Sequence, residues 1–303
     1  MKNNILKTAF KKSALMALAV SGLAVTPAFA QNNPNYAPGD LLLYFTQYNG
    51  TQTVLVNLGA AVSYRDATAN QLNIVNIGGT LTGSTGSGGA GYSATWYDDP
   101  TIFWGLAGVR SAGTTTTTQV NGDPNRTLYI SAARTGVGTA GAAQSGAWAG
   151  LSNGDMTTGA TNISSQDNRL ENASVTTMLV ESTGTSNVDN QNPFNIAGQP
   201  ITAFGIFPGG VMGSFSPGSF GTIGGVNAEG AVDLYRILAT TNPSGTVIET
   251  GDAAGDGSYQ GTFVITQAGS VSYIAPVPEP ATFSLLAASV IVGLARRRRA
   301  QRV

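Results

Sequence analysis

Short segments rich in apolar, β-branched and aromatic side chains, several of them alternating with polar ones, recur through the middle of the chain. They cover residues 41–47, 53–57, 102–109, 127–133, 177–180, 201–207, 232–239, 261–266 and 270–274. Clusters of Gly, Asn, Ser and Pro separate them, and short strands spaced by turn residues predict an all-β domain, an antiparallel β-sandwich or jelly roll. Gly50-Thr51-Gln52 and Gln267-Ala268-Gly269 have the length and the glycine of hairpin turns. Between Val232 and Leu238 the alternation sets Asp233, Tyr235 and Ile237 opposite Val232 and Leu234, with a short helix as the competing reading. A minor helical decoration is expected over 163–173, where Ser164, Ser165, Gln166 and Asp167 offer capping oxygens. Residues 81–91 and 114–118 read as low-complexity loops, and no repeat period divides the body.

Two further apolar runs stand outside this pattern, one at each end. At the start, Lys2, Lys7, Lys11 and Lys12 precede an apolar stretch from Ala14 to Val25 and then Pro27-Ala28-Phe29-Ala30. Ala28 and Ala30 form the small-residue pattern cut by signal peptidase, so residues 1–30 read as an export signal and the mature chain as starting at Gln31. At the other end, Val277-Pro278-Glu279-Pro280 is followed by the apolar run Ala281–Ala295 and by Arg296, Arg297, Arg298 and Arg299. The prolines favour extended backbone and lack N–H donors, which keeps this segment out of a strand and accessible. As a helix the apolar run spans about 22 Å, short of a hydrocarbon core of about 30 Å. A transient membrane hold therefore fits better than a permanent tail anchor, with the arginines on the cytoplasmic side and the body across the membrane.

Pro278, Glu279 and Pro280, the apolar run and the arginine tail together resemble the PEP-CTERM sorting signal of Gram-negative bacteria. The resemblance implies recognition by an exosortase-type membrane enzyme that cleaves near the motif, in bacteria that often secrete exopolysaccharide. The body is also similar to a PEP-CTERM family with no assigned activity. That likeness runs through 39–45, 54–59, 103–108, 232–236 and 257–263, and it transfers no functional residue. The chain thus divides into 1–30, a β-rich body at 31–275 and a sorting signal at 276–303.

Charge and composition narrow what the body can do. Between residues 31 and 275 the basic residues are Arg65, Arg110, Arg126, Arg134, Arg169 and Arg236, six against fifteen carboxylates, a balance of −9. Nucleic-acid binding is excluded as a function class, because counterion release needs a positive face. The whole chain has no Cys and no His, and the body has no Lys, which removes disulfides, the usual neutral-pH base and the commonest metal ligand. No cofactor is expected.

Several motifs nevertheless point to chemistry. Residues 86–91 fit G-x-G-x-x-G, but no helix opening follows to receive a pyrophosphate. Residues 150–154 fit G-x-S-x-G around Ser152, yet without an imidazole or a lysine the hydroxyl has no base, and a polar turn is expected instead. Asp98 with Asp99, or Glu229 with Asp233, are candidate carboxylate pairs for a glycoside hydrolase. Asp252 and Asp256 are a weak calcium candidate in a loop that matches no EF-hand. Trp96 and Tyr97 are the aromatic pair expected at the surface for carbohydrate contact, whereas Trp104, inside an apolar run, is expected in the core.

These readings converge on an exported, non-catalytic surface or extracellular-matrix protein linked to exopolysaccharide and biofilm. The alternatives are a carbohydrate-binding module and, third, a glycosidase working with carboxylates alone.

Overall fold

A computed structural model describes residues 37–47, 52–84, 89–111, 122–144, 152–172, 178–182, 213–214, 220–242 and 257–277. The chain opens with β1 (Asp40–Gln47) and β2 (Gln52–Ala60), then α1 (Val62–Arg65), β3 (Gln71–Asn76) and α2 (Gly78–Thr82). A 3-10 turn at Trp96–Asp98 leads into β4 (Ile102–Val109) and β5 (Leu128–Ala133), followed by α3 (Asn153–Asn172) and β6 (Met178–Ser182). The short strands β7 (Gly213–Ser214), β8 (Thr222–Ile223) and β9 (Val226–Asn227) precede β10 (Gly230–Ile237), β11 (Ser258–Ile265) and β12 (Ser270–Ile274).

The architecture is all-β and antiparallel. One ten-stranded sheet runs β3-β12-β11-β10-β5-β4-β1-β2-β6, with β7 added beside β4, and it curls until it is nearly closed; β8 and β9 form a separate ribbon. The unbroken apolar run Leu41–Phe45 in β1 has a direct cause, since both faces of that strand are covered. On the inner face Leu41, Leu43, Phe45, Leu106, Val232, Leu234, Phe263 and Tyr273 meet Tyr64 of α1, Leu81 of α2 and the side chains of Tyr92 and Trp96. Trp104 stacks on Phe45 there, ring centroids 5.9 Å apart. On the outer face Leu42, Tyr44, Val109, Leu128, Ile130 and Ile237 pack against Met156, Ala160 and Ile163 of α3. A second outer patch, Ala231, Val264 and Ile274, lies under Ile223 and the loop side chains of Val137 and Ala140. Each fully buried side chain of this size contributes roughly 1.5–3 kcal/mol, so the two-sided burial of the central strands dominates the stability.

Residues 232–237 form a strand, not a helix, with Val232 and Leu234 inward and Tyr235 and Ile237 outward. The 267–269 turn is a hairpin, with Gly269 at φ +79° and the Gly269 amide donating to the Thr266 carbonyl at 2.8 Å. The helix expected at 163–173 begins ten residues earlier. Its cap is Ser152, whose Oγ accepts from the Asp155 amide at 3.1 Å and donates to the Asp155 carboxylate at 2.7 Å, a reciprocal capping arrangement. Residues 81–91 are not all loop, because α2 extends through Thr82, and Ala90 and Tyr92 are buried. The polar segment Gln71–Asn76 is a strand that the hydrophobic pattern does not reveal; it pairs with β12 at the margin of the sheet. The expected strand at 201–207 and the loop at 114–118 lie outside the described residues.

Candidate functional site

The feature of the body that bears on sorting is the place where its last strand leaves the sheet. β12 is held on one side by β11 up to Ile274 and on the other by β3 up to Tyr273. Beyond it the Ala275 amide donates to Asn70 Oδ1 at 3.1 Å and the Val277 amide to the Gly141 carbonyl at 3.1 Å. Gly141 sits at φ +72°, and a Cβ there would stand 2.6 Å from the Val277 nitrogen, so only glycine lets the chain pass this close. Val277 itself is 59% exposed, one residue before Pro278.

The loop carrying Gly141 is held by one buried cation. Arg134 donates to the carbonyls of Gly136 at 3.0 Å, Ala142 at 3.1 Å and Thr139 at 3.2 Å, and also to that of Val137. Its charge is met by Asp233 at 2.8 Å, both side chains being fully buried. Asp233 also accepts from Thr262 Oγ1 at 2.6 Å and from the Gln144 amide at 2.7 Å. The carboxylate thus joins β10, β11 and both ends of the loop, and Tyr259 closes the cluster through its hydroxyl on Thr262 at 2.8 Å. Burial pushes the Tyr259 phenol up to about 12.

A second cluster lies at the end of the sheet where the chain exits. Asp123 is buried and accepts from the Tyr129 hydroxyl at 2.6 Å, from Arg65 at 3.1 Å and from Arg236. Arg65 also grips Asp66 at 2.7 Å, and that hydrogen bond holds the Asp66 carboxyl below its usual range. Burial, with the hydrogen bond to Asp123 second, raises the Tyr129 phenol. Two cations on one carboxylate tie α1, the segment before β5 and β10 together at this end. Sequence reasoning missed both clusters, since the ion pairs that join their parts, Arg65–Asp123, Arg134–Asp233 and Arg236–Asp123, lie 58, 99 and 113 positions apart; the signal available was that Arg134 and Asp233 each interrupt an otherwise apolar strand or strand end.

The other residues singled out by sequence fall as follows. Trp96 is 1% exposed and packs inside the sheet, with Tyr97 half-buried against it at a ring-centroid distance of 5.7 Å. The surface position expected for Trp96 is therefore corrected: its indole is part of the inner core and offers no open face, while Tyr97 remains half-exposed. Trp104 is in the core. Asp99 is a turn former, accepting from the Thr101 amide at 2.8 Å and from Gln47 at 3.0 Å, which starts β4. Asp233 is engaged by Arg134, and Glu229 stands four positions earlier, just before β10 begins. Ser152 is a helix cap. Among the described residues no group of three or more metal-binding side chains occurs. Asp252 and Asp256, Ala28 and Ala30, and Pro278 through Arg299 lie outside the described residues.

A family model, the PEP-CTERM protein-sorting motif, matches residues 276–299, beginning one residue after Ala275 is caught by Asn70. The chain is a PEP-CTERM sorting-domain-containing protein: an exported protein, sorted through the membrane and processed by exosortase. No curated protein and no solved structure matches the chain. Among the described residues no helix is long and apolar enough to cross a membrane.

Proposed function

We propose that the body is a non-catalytic structural component of the cell surface or extracellular matrix of a Gram-negative bacterium, associated with exopolysaccharide and biofilm. Signal peptidase releases it after Ala30, the tail holds it at the inner membrane, and exosortase then frees it to its final compartment. The observation that carries this reading is the occupation of the described side chains that carry chemistry. Asp233, Asp123, Asp99 and Ser152 each serve a cap, a turn or a buried ion pair in the scaffold. The body has no histidine, cysteine or lysine to take their place.

The test is intact mass and fractionation of the protein from its own cells. A mature species starting at Gln31, ending near Pro278–Pro280 and recovered with the matrix is expected, and it should disappear from the matrix when Arg296–Arg299 are replaced by alanine. Recovery of the full tail in the inner membrane at steady state would sink the routing. A polysaccharide-cleaving activity abolished by a single Asp substitution would sink the structural role.

A further inference from the structure

We propose that, while the tail is still attached, the body stands end-on to the bilayer, with the rim that carries Asp66–Asn70 and the β12 exit turned toward the lipid surface. This rests on the reading of the tail as a membrane hold.

Three observations carry it. The first is tether length. The chain is fixed to the body at Val277, and the apolar run starts at Ala281. Four residue steps reach about 14 Å at full extension, whereas an eight-residue strand alone is about 26 Å long. The body therefore cannot turn its far end to the membrane without first breaking the hold at Asn70 and Gly141.

The second observation is the register, which fixes which end is near. Ala275 continues β12 toward the end of the sheet marked by Asn70, Arg236 and Ser258, Arg110 and Thr127, and Asp40 and Ala60. The opposite end carries the 266–270 turn, Glu229 and the Asp99 turn beside Gln47.

The third is charge polarity. Four of the six body arginines, Arg65, Arg110, Arg126 and Arg236, belong to the exit end, with Asp40, Asp66, Asp123 and, in the first turn of α3 beside Arg126, Asp155. The far end presents Asp98, Asp99 and Glu229, while Arg134 is neutralised by Asp233. An anionic bilayer repels the far end and tolerates the exit end, the same orientation that the tether imposes.

The absence of cysteine makes the test direct. Thr68→Cys on the exit rim and Gln267→Cys on the far turn, both exposed positions, are labelled singly with a fluorophore in the full chain. Each is reconstituted through its tail in phosphatidylethanolamine/phosphatidylglycerol vesicles containing a headgroup-nitroxide lipid. Quenching at least twofold stronger at position 68 than at 267 is expected, and a twenty-residue Gly/Ser spacer between Val277 and Pro278 should abolish the difference. Equal or reversed quenching, or a difference that survives the spacer, overturns the proposal. Flotation reads the tail separately: a chain that does not float with the vesicles refutes the membrane hold and this orientation with it, whereas one that floats with equal quenching refutes the orientation alone.

Discussion

Asp233→Ala is the most demanding perturbation of this scaffold. It removes the carboxylate that pairs with Arg134 and leaves a guanidinium with no solvent access and, among the described residues, an uncompensated charge. Breaking a buried pair on one side costs about 3–5 kcal/mol, a large part of the roughly 5–15 kcal/mol that holds a typical domain folded. With a urea dependence of about 2 kcal/mol per molar, a 4 kcal/mol loss moves the midpoint down by about 2 M. The emission of the buried Trp96 and Trp104 reports the transition in the mature body.

A double variant, Arg134→Met with Asp233→Leu, separates two accounts of the site. Replacing a buried ion pair by apolar side chains is often neutral. Here, however, the guanidinium also satisfies the carbonyls of Gly136, Val137, Thr139 and Ala142, and an unsatisfied buried group costs about 1–3 kcal/mol. The double variant is therefore expected to remain at least 2 kcal/mol below the wild type. A single-variant cost under about 1 kcal/mol, or a double variant as stable as the wild type, would refute the reasoning that Arg134 staples the loop.

Three further outcomes follow from other parts of the structure. Ser152→Ala should lower the urea-derived stability by about 1 kcal/mol and fray the first turn of α3, read as faster amide exchange at Gly154–Met156. Gly141→Val should dislodge the exit strand, because the new side chain meets Ala275 and Val277 at backbone distance; limited proteolysis of the full chain should then cut at 275–277, where the wild type resists. Alkaline titration should show no tyrosinate from Tyr64, Tyr92, Tyr129, Tyr259 and Tyr273 at pH 10, where an exposed phenol is half-ionised, since burial raises all five. The sign follows from linkage: the folded state keeps protons that the unfolded chain releases above pH 10, so stability is intact below that pH and falls as the pH climbs through about 12. Their absorbance at 295 nm should rise together with the loss of near-ultraviolet dichroism, and independent titration near pH 10 would contradict the burial.

Much of the scaffold was legible because two-sided burial writes itself into sequence. β4 and β12 have the expected boundaries, and β1 differs by the single residue Asp40, whose side chain accepts from the Ala37 amide and from Asn57 at the strand's start. What escaped was whatever depends on neighbours far along the chain. Gln71–Asn76 has no alternation, since its two sides are half-exposed and Asn73 departs from strand geometry at φ +53°, so only its pairing with β12 makes it a strand. Trp96 sits among Ser, Thr and Asp, the surroundings of a surface residue, and is buried because the fold brings it against inner-face side chains contributed from elsewhere in the chain. Ser152 was hidden by its resemblance to a nucleophile motif, although Ser-x-x-Asp is itself a helix-start signature. The routing was legible for the opposite reason, as a tripartite local code that needs no tertiary partner.

The pairing of β3 with β12 has a consequence in time. The two strands lie about two hundred positions apart, with Asn73 bonded to Ser272 across that interval. A chain delivered across a membrane from its N-terminus thus presents β3 nearly its whole length before β12 arrives. Until then the margin of the sheet is an open template for wrong partners, and long-range closure of this kind is slow. Only six residues separate Ile274 from the apolar run. The sorting signal therefore follows β12 almost at once, and slow closure of β3 on β12 leaves an interval in which the tail has emerged and the margin of the sheet is still open.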